Sequence, residues 1–173
     1  MKEIELGTGG AVPDDPGAQP LSDCPSVTVA YRIPFYDTDA MGVVHHANYL
    51  RYLELARTYF LERFDRPYTE YMEEGVHAAV TRVDARYLQA IRFNDDIRIT
   101  CWLEWVKTVK LCFHYRLHKD GQLVASALTE HVMINGEGKA IRLSKQWRSL
   151  MNPLALNAKS VAIEAGSGNA EGL

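Results

Sequence analysis

What this chain has little of narrows its function before any motif is read. It holds three cysteines, Cys24, Cys101 and Cys112, an odd number with no C-x-x-C spacing, which argues against a disulfide framework and against a structural zinc site. Free thiols in a reducing cytoplasm are the expectation; Cys101 and Cys112 could be neighbours across a hairpin, a geometry the sequence leaves open. Surplus positive charge is missing as well. Nineteen Lys and Arg stand against 22 Asp and Glu, a formal net charge of -3, so the chain lacks the concentrated basic surface that general nucleic-acid binding requires. No stretch is long and apolar enough to span a bilayer. Residues 1–24 lack the basic start and apolar run that a secretory signal requires.

At 173 residues the chain fits one domain with a real core and falls short of two ordinary ones. Residues 1–24, rich in Gly, Pro and Asp, read as a flexible arm. Residues 25–153 form the folded domain, and residues 154–173, a mixture of Ala, Gly, Ser and Asn with little bulk, read as a disordered tail.

Within the domain, Val27, Val29, Tyr31 and Ile33 alternate with polar neighbours as a half-buried strand does, and Pro34 ends the run. Tyr49, Leu53, Ala56, Phe60 and Phe64 recur at three- and four-residue steps, predicting a long helix with apolar residues on much of its circumference. Arg66-Pro67 breaks that pattern before a short helical turn over 68–74. Strands follow at 76–87, at 97–105 with Ile97, Ile99, Cys101, Leu103 and Trp105 on one face, and at 111–117. Asp120-Gly121 signals a tight hairpin into a strand over 123–134. Residues 135–138 turn the chain towards a short strand at 139–143, and Ser144 caps a last helix over 145–151. One strand, one long helix and then antiparallel strands is an α+β order.

The chemistry concentrates in Asp37-Thr38-Asp39-Ala40-Met41-Gly42-Val43-Val44-His45-His46-Ala47-Asn48-Tyr49. Carboxylates and imidazoles sit on a glycine-containing loop at the start of the long helix, where backbone N–H groups lack intrahelical partners and the helix dipole is positive. Such a place can hold an oxyanion next to a carboxylate. A metal reading fares worse: adjacent histidines at a helix start point apart, and no H-E-x-x-H spacing is present. His77, His114, His118 and His131 fall on strand patterns, as satisfied structural residues do. Tyr52, Tyr59, Phe60 and Trp102 suit either an acyl pocket or plain core.

The run D-x-D-x-x-G-V-V-x-H-x-N-Y followed by L-x-Y-L-E-x-A-R resembles the 4-hydroxybenzoyl-CoA thioesterase-like branch of the hotdog-fold thioesterases, which includes the Tol-Pal-associated acyl-CoA thioesterases. The resemblance runs from about residue 27 to about 150, and its first third carries most of the specificity. It implies a curved antiparallel β-sheet wrapped around one long central helix, and a homodimer or homotetramer with ligand sites between subunits. It also implies hydrolysis of an acyl-CoA to a free acid and coenzyme A, with no metal and no organic cofactor. Asp39 matches the family's catalytic carboxylate, as nucleophile or as base for a water. The backbone N–H of His46 matches the oxyanion donor, and Gly42 lets the loop pass close to the acyl group. Asn48 and Tyr49 would fix the loop and the first helical turn. His45 stands where relatives more often carry an aromatic residue, either tuning Asp39 or filling the aromatic slot. Lys107 and Lys110, near a turn whose basic residues contact the nucleotide in relatives, are the candidates for the phosphates, although Val106 and Thr108 stand where some relatives have a denser basic cluster. Arg82, Arg86, Arg92 and Arg142 are further cations without a motif.

The chemistry suits so small a kit. Coenzyme A leaves as a thiolate with a pKa near an ordinary thiol, roughly 8.5, so the barrier lies in carbonyl attack, which needs one carboxylate and donors for the oxyanion. The alternatives are a thioesterase acting on acyl carrier protein, a hotdog hydratase, whose motif has a proline and tighter spacing than Asp39 to His45, and a binding module for acyl ligands.

Overall fold

Alternation places Val27 and Val29 on one face of the first long strand, and both are fully buried against a helix. The computed structural model describes residues 4–5 and 24–155. In order they form β1 (Ile4–Glu5), β2 (Ser26–Arg32), a single 3-10 turn Phe35–Asp37, α1 (Asn48–Phe64), α2 (Tyr68–Glu73), β3 (Val76–Tyr87), β4 (Asp96–Val106), β5 (Lys110–Lys119), β6 (Gln122–Asn135), α3 (Lys145–Met151) and a 3-10 turn Asn152–Leu154. The strands make one antiparallel sheet in the order β1-β2-β4-β5-β6-β3.

The core lies between α1 and one face of this sheet. Tyr52, Leu53, Ala56 and Phe60 of α1 meet Ile99, Cys101, Leu103, Phe113 and Tyr115 of β4 and β5, all in one buried apolar cluster. Phe60 stacks edge-on against Phe113 with ring centroids 5.4 Å apart. Emptying such a position, as in Phe60→Ala, costs about 3–5 kcal/mol because the hole closes only in part. The hairpin between β5 and β6 takes the two-residue turn that Asp120-Gly121 announces, with φ of 50° and 77° at the two positions. Ser144 accepts the Trp147 N–H at 3.0 Å and opens α3. Trp147 then donates its indole N–H to Asp65 and to the Tyr71 hydroxyl, each at 2.8 Å, and Tyr71 donates to Asp65, so α3 is tied to the ends of α1 and α2.

Two expectations are corrected and one open geometry is decided. Trp105 does not share the inner face with Leu103: a bulge between Leu103 and Trp105 shifts the register, so Trp105 pairs with the outward-facing Cys112 while Val106 turns in to the core. Cys101 and Cys112 are not neighbours, because Cys101 pairs with Tyr115 on the inner face and Cys112 with Trp105 on the outer. The stretch 139–143 is not a strand; it holds one bridge, Ala140 to Ile134, and returns over the end of β6 through Ile141 N–H to the Met133 carbonyl at 2.9 Å.

At the ends of the described chain, Cys24 and Ala155 are both buried and Cys24 Sγ lies 3.9 Å from the Leu154 carbonyl. The proposed arm and tail otherwise lie outside the described residues, apart from the two residues of β1. No described helix is long and apolar enough to cross a membrane.

Candidate active site

Asp37 is the pin on which the loop turns. It is fully buried, its carboxylate takes the Tyr52 hydroxyl at 2.8 Å and the Arg51 guanidinium at 2.9 Å, and its carbonyl takes the His45 N–H at 2.9 Å and Asn48 Nδ2 at 2.8 Å. Four donors, three of them from α1 and one from the residues leading into it, thus hold a single residue. Burial and this carboxylate together push the Tyr52 hydroxyl far above the ordinary phenol range, so it stays a donor.

From that pin the chain makes a narrow hairpin. Thr38 bridges to Val44, Asp39 N–H donates to the Val43 carbonyl at 2.9 Å, and Gly42 N–H returns to the Asp39 carbonyl at 2.9 Å. Met41 N–H caps Asp39 Oδ1 at 2.8 Å, which fixes the side chain and leaves Oδ2 uncommitted among the described residues. Gly42 has φ of +70°, and a Cβ there would meet nothing nearer than the Arg92 guanidinium at 3.8 Å. The glycine is therefore required by the left-handed backbone rather than by crowding. Val43 bridges to Arg92 and Val44 N–H donates to the Ile91 carbonyl at 2.8 Å, stitching the loop to the segment that leads into β4.

Asp39 and His46 line one groove of about 330 Å³ with Met41, Val43, Val44, Tyr49, Tyr87, Leu88, Gln89, Ala90 and Ile91. Tyr49 and Tyr87 pack edge-to-face with centroids 4.7 Å apart, and the Tyr87 hydroxyl donates to the His46 carbonyl at 3.3 Å. Burial, with Tyr87 adding to it, pushes the Tyr49 phenol up to about 12. The wall is mostly apolar and aromatic; of its polar members, Asp39 and His46 belong to the loop at the start of α1 and Gln89 to the stretch after β3.

The donor side at the start of α1 is more selective than the helix start alone suggests. α1 begins at Asn48, and the amides of Asn48, Tyr49 and Leu50 are already taken by the carbonyls of His45, His46 and Ala47 at 2.9, 3.4 and 3.3 Å. His45 N–H goes to Asp37, and Ala47 N–H goes to His45 Nδ1 at 3.3 Å. Between them the His46 N–H has no partner among the described residues, so one amide, not a set of first-turn amides, is left for a ligand.

The remaining candidates separate. The expectation that the two histidines point apart is corrected: His45 lies against His46 with ring centroids 4.1 Å apart, accepts from Ala47, and does not line the groove. Asn48 is spent on the Asp37 carbonyl, while Tyr49 forms groove wall and first helical turn together. Lys107 and Lys110 are not brought to Asp39 within one chain. They sit at the far end of β4 from the 91–95 segment, Lys107 lying over the Trp105 ring at 4.6 Å, and eleven strand residues span roughly 35 Å. Trp102 faces away from the core and the groove. Of the further cations, Arg92 is the one beside the loop, 3.5 Å from the Gly42 carbonyl. Sequence reasoning missed the whole second wall, Tyr87 to Ile91, because a strand end running into an irregular turn carries no periodic signal. Among the described residues, no three His, Cys, Asp or Glu side chains come together to hold a metal ion.

Comparison with known proteins gives a consistent result. The profile of a family described as the thioesterase-like superfamily matches residues 33–161. The acyl-CoA thioesterase YbgC of Haemophilus influenzae is 28% identical over 125 residues, covering 71% of this chain and 92% of its own. Among solved structures, a hypothetical protein of Thermus thermophilus is 30% identical with a TM-score of 0.71, covering 76% of this chain and 98% of that one. A thioesterase from the same organism, crystallised with coenzyme A and Zn, is 27% identical with a TM-score of 0.64, covering 73% and 92%.

Proposed function

This chain belongs to the thioesterase-like superfamily, with the hotdog arrangement of a curved sheet around α1, and we propose that it hydrolyses an acyl-CoA thioester to the free acid and coenzyme A. The observation that carries this reading is that Asp39 and His46, whose amide has no partner among the described residues, line the same largely apolar groove.

In this reading the acyl chain lies against Tyr49, Tyr87, Leu88 and Ile91, and the thioester carbonyl oxygen accepts the His46 N–H. Asp39 Oδ1 is oriented by the Met41 amide, and Oδ2 faces the carbonyl carbon, either directly or through a water. As the carbonyl becomes tetrahedral its oxygen gains charge, which the fixed amide and the positive end of α1 stabilise without reorganising. Collapse expels the thiolate, for which no acid is required. Water supplies the hydroxyl of the acid and the proton that the thiolate takes up, and the products are a carboxylic acid and a thiol.

The reading extends to a homodimer. β3 is the last strand of the sheet, paired on one side to β6, and its open side presents Val80 and Val83, with Tyr87 and Leu88 where it ends. A twelve-residue open edge with exposed apolar side chains invites another strand. Pairing two copies there also gives Lys107 and Lys110 of a second copy a route to the coenzyme A phosphates, which they lack within one chain. Three buried free thiols fit a reducing, cytoplasmic setting.

The test is thiol release from short, long and aromatic acyl-CoAs by the native protein and by Asp39→Asn. The asparagine keeps an Oδ1 acceptor for Met41, so the loop stays folded while turnover falls about 10²–10⁴-fold. Wild-type turnover in the variant refutes the role given to Asp39, and turnover of acyl carrier protein esters alone moves the substrate to that class.

A further inference from the structure

The amide left free at His46 is only as well aimed as the peptides on either side of it. Upstream the hold is firm. His45 N–H donates to the Asp37 carbonyl at 2.9 Å, and the His45 carbonyl, which shares a peptide plane with the His46 N–H, accepts the Asn48 N–H at 2.9 Å. Downstream it is loose. The next peptide has its carbonyl, that of His46, 3.4 Å from the Tyr49 N–H, and its own N–H, that of Ala47, 3.3 Å from His45 Nδ1; both are longer than well-formed bonds of their kind. All of these partners belong to the loop or to the first turn of α1. Among the described residues, the one hydrogen bond that reaches this peptide from another part of the fold comes from the Tyr87 hydroxyl, which donates to the His46 carbonyl at 3.3 Å. That too is long, as bonds that position a reacting group often are before substrate closes them.

Tyr87 is placed to act on both sides of the groove. It is the last residue of β3 and stands opposite Ala125 of β6, a member of the core cluster. The chain leaves the sheet directly after it, with the Leu88 and Gln89 N–H groups both on the Val124 carbonyl, at 2.9 and 3.1 Å. From this fixed backbone the ring reaches back to α1, edge-to-face with Tyr49. Tyr49 is buried, whereas Tyr87 is 48% exposed and lines the groove, so part of its ring is left for a ligand. A phenylalanine would supply the same wall and the same aromatic pair; the hydroxyl alone reaches the loop. We propose that Tyr87 is a positioning residue, whose hydroxyl fixes the peptide from His46 to Ala47 and so aims the His46 N–H at the thioester carbonyl. This role deepens the thioesterase reading and rests on it. An acyl group lying on the ring presses the hydroxyl onto the His46 carbonyl, so contact with the acyl chain shows in kcat and not only in affinity. Loss of one neutral hydrogen bond acting this way slows turnover about 3–10-fold.

The test compares the native full chain with Tyr87→Phe and Tyr87→Leu, resolving kcat and KM for thiol release from acetyl-, decanoyl- and benzoyl-CoA. Beside it, calorimetry measures the affinity of each protein for S-decyl-CoA, a thioether with no carbonyl to aim at. In Tyr87→Phe kcat should fall about 3–10-fold while KM stays within about twofold and the thioether binds as it does to the native protein. In Tyr87→Leu the wall is lost as well, so KM rises and the thioether binds more weakly. A direct signature is the infrared carbonyl stretch of decanoyl-CoA bound to Asp39→Asn: adding Tyr87→Phe should move it up towards its value in solution, because the amide no longer draws on the oxygen. Native kcat in Tyr87→Phe overturns the positioning role. So does a fall in kcat matched by an equal fall in thioether affinity, which marks a general loosening of the groove. Thiol release from none of the three esters by the native protein is a different failure, that of the thioesterase reading itself.

Discussion

Tyr52 and Asp37 meet at 2.8 Å with both side chains buried, joining the second turn of α1 to the first residue of the D-x-D loop. The pair makes the two aspartates of the motif do opposite work: Asp37 holds the loop and Asp39 faces the groove. Tyr52→Phe removes one donor from a buried carboxylate and should cost about 1–3 kcal/mol, lowering the thermal midpoint by several degrees. Asp39→Asn should leave the midpoint close to native while abolishing turnover. Calorimetry beside thiol release separates the two, and a Tyr52→Phe protein as stable as native contradicts the pinning role.

Much of this was legible in the sequence, for reasons that differ by element. β3 and α3 run where the β-rich composition and the Ser144 cap predict, since both signals are local. Asp39 was singled out by resemblance, and the structure puts it in the wall of a groove with His46. The role of Asp37 was not legible: nothing in a D-x-D spacing says which acid is buried, and that is decided by Arg51 and Tyr52, fourteen and fifteen residues on. Trp105 was misplaced because a bulge is a tertiary adjustment that leaves the apolar pattern intact. Lys107 and Lys110 were assigned by resemblance, and only the register of β4 shows how far one chain holds them from Asp39.

His131 gives the fold a dependence on pH. Its Nε2 lies 2.8 Å from Thr129 Oγ1, whose oxygen is 2.9 Å from the Tyr115 hydroxyl, all beneath α1. Burial, with the Arg57 cation adding to it, lowers the imidazole from 6.5 to about 4. The unfolded chain therefore takes up this proton at a higher pH than the folded one. Stability is fully present above pH 6.5 and is lost as pH falls towards 4, by about 3 kcal/mol for a shift of this size. Urea denaturation at stepped pH should show that slope, and His131→Gln should flatten it. The slope left would come from His118, also lowered by burial and by Arg116. An unchanged slope in His131→Gln places the acid sensitivity elsewhere.

Gly42 tests the loop by conformation alone. Its φ is +70° and the space around a Cβ is ordinary, so Gly42→Ala should cost about 1–2 kcal/mol for the left-handed backbone and nothing for a clash. Asparagine tolerates that region better. Gly42→Asn should therefore retain more stability and more turnover than Gly42→Ala, despite being larger. The reverse order, measured by melting and by thiol release, shows that bulk against Arg92 or a bound acyl group sets the requirement instead.

The proposed pairing of two copies along the open edge of β3 would tie assembly to activity. Val80 and Val83 are 55% and 40% exposed on a strand whose C-terminal end, Tyr87, forms groove wall. Two copies paired along this edge would steady Tyr87 against Tyr49 and the His46 carbonyl. Replacing both valines, Val80→Lys with Val83→Lys, puts like charges opposite one another in an antiparallel pair, which is unfavourable, yet removes nothing from the core. Sedimentation velocity should then shift from dimer to monomer with the circular dichroism spectrum unchanged. Turnover should fall with the monomer fraction and recover in part as protein concentration rises, because mass action restores the pair. A variant that sediments as a monomer and turns over acyl-CoA at the native rate would mean that one chain completes the groove by itself, and that the coenzyme is held by cations beside the loop, Arg92 first among them.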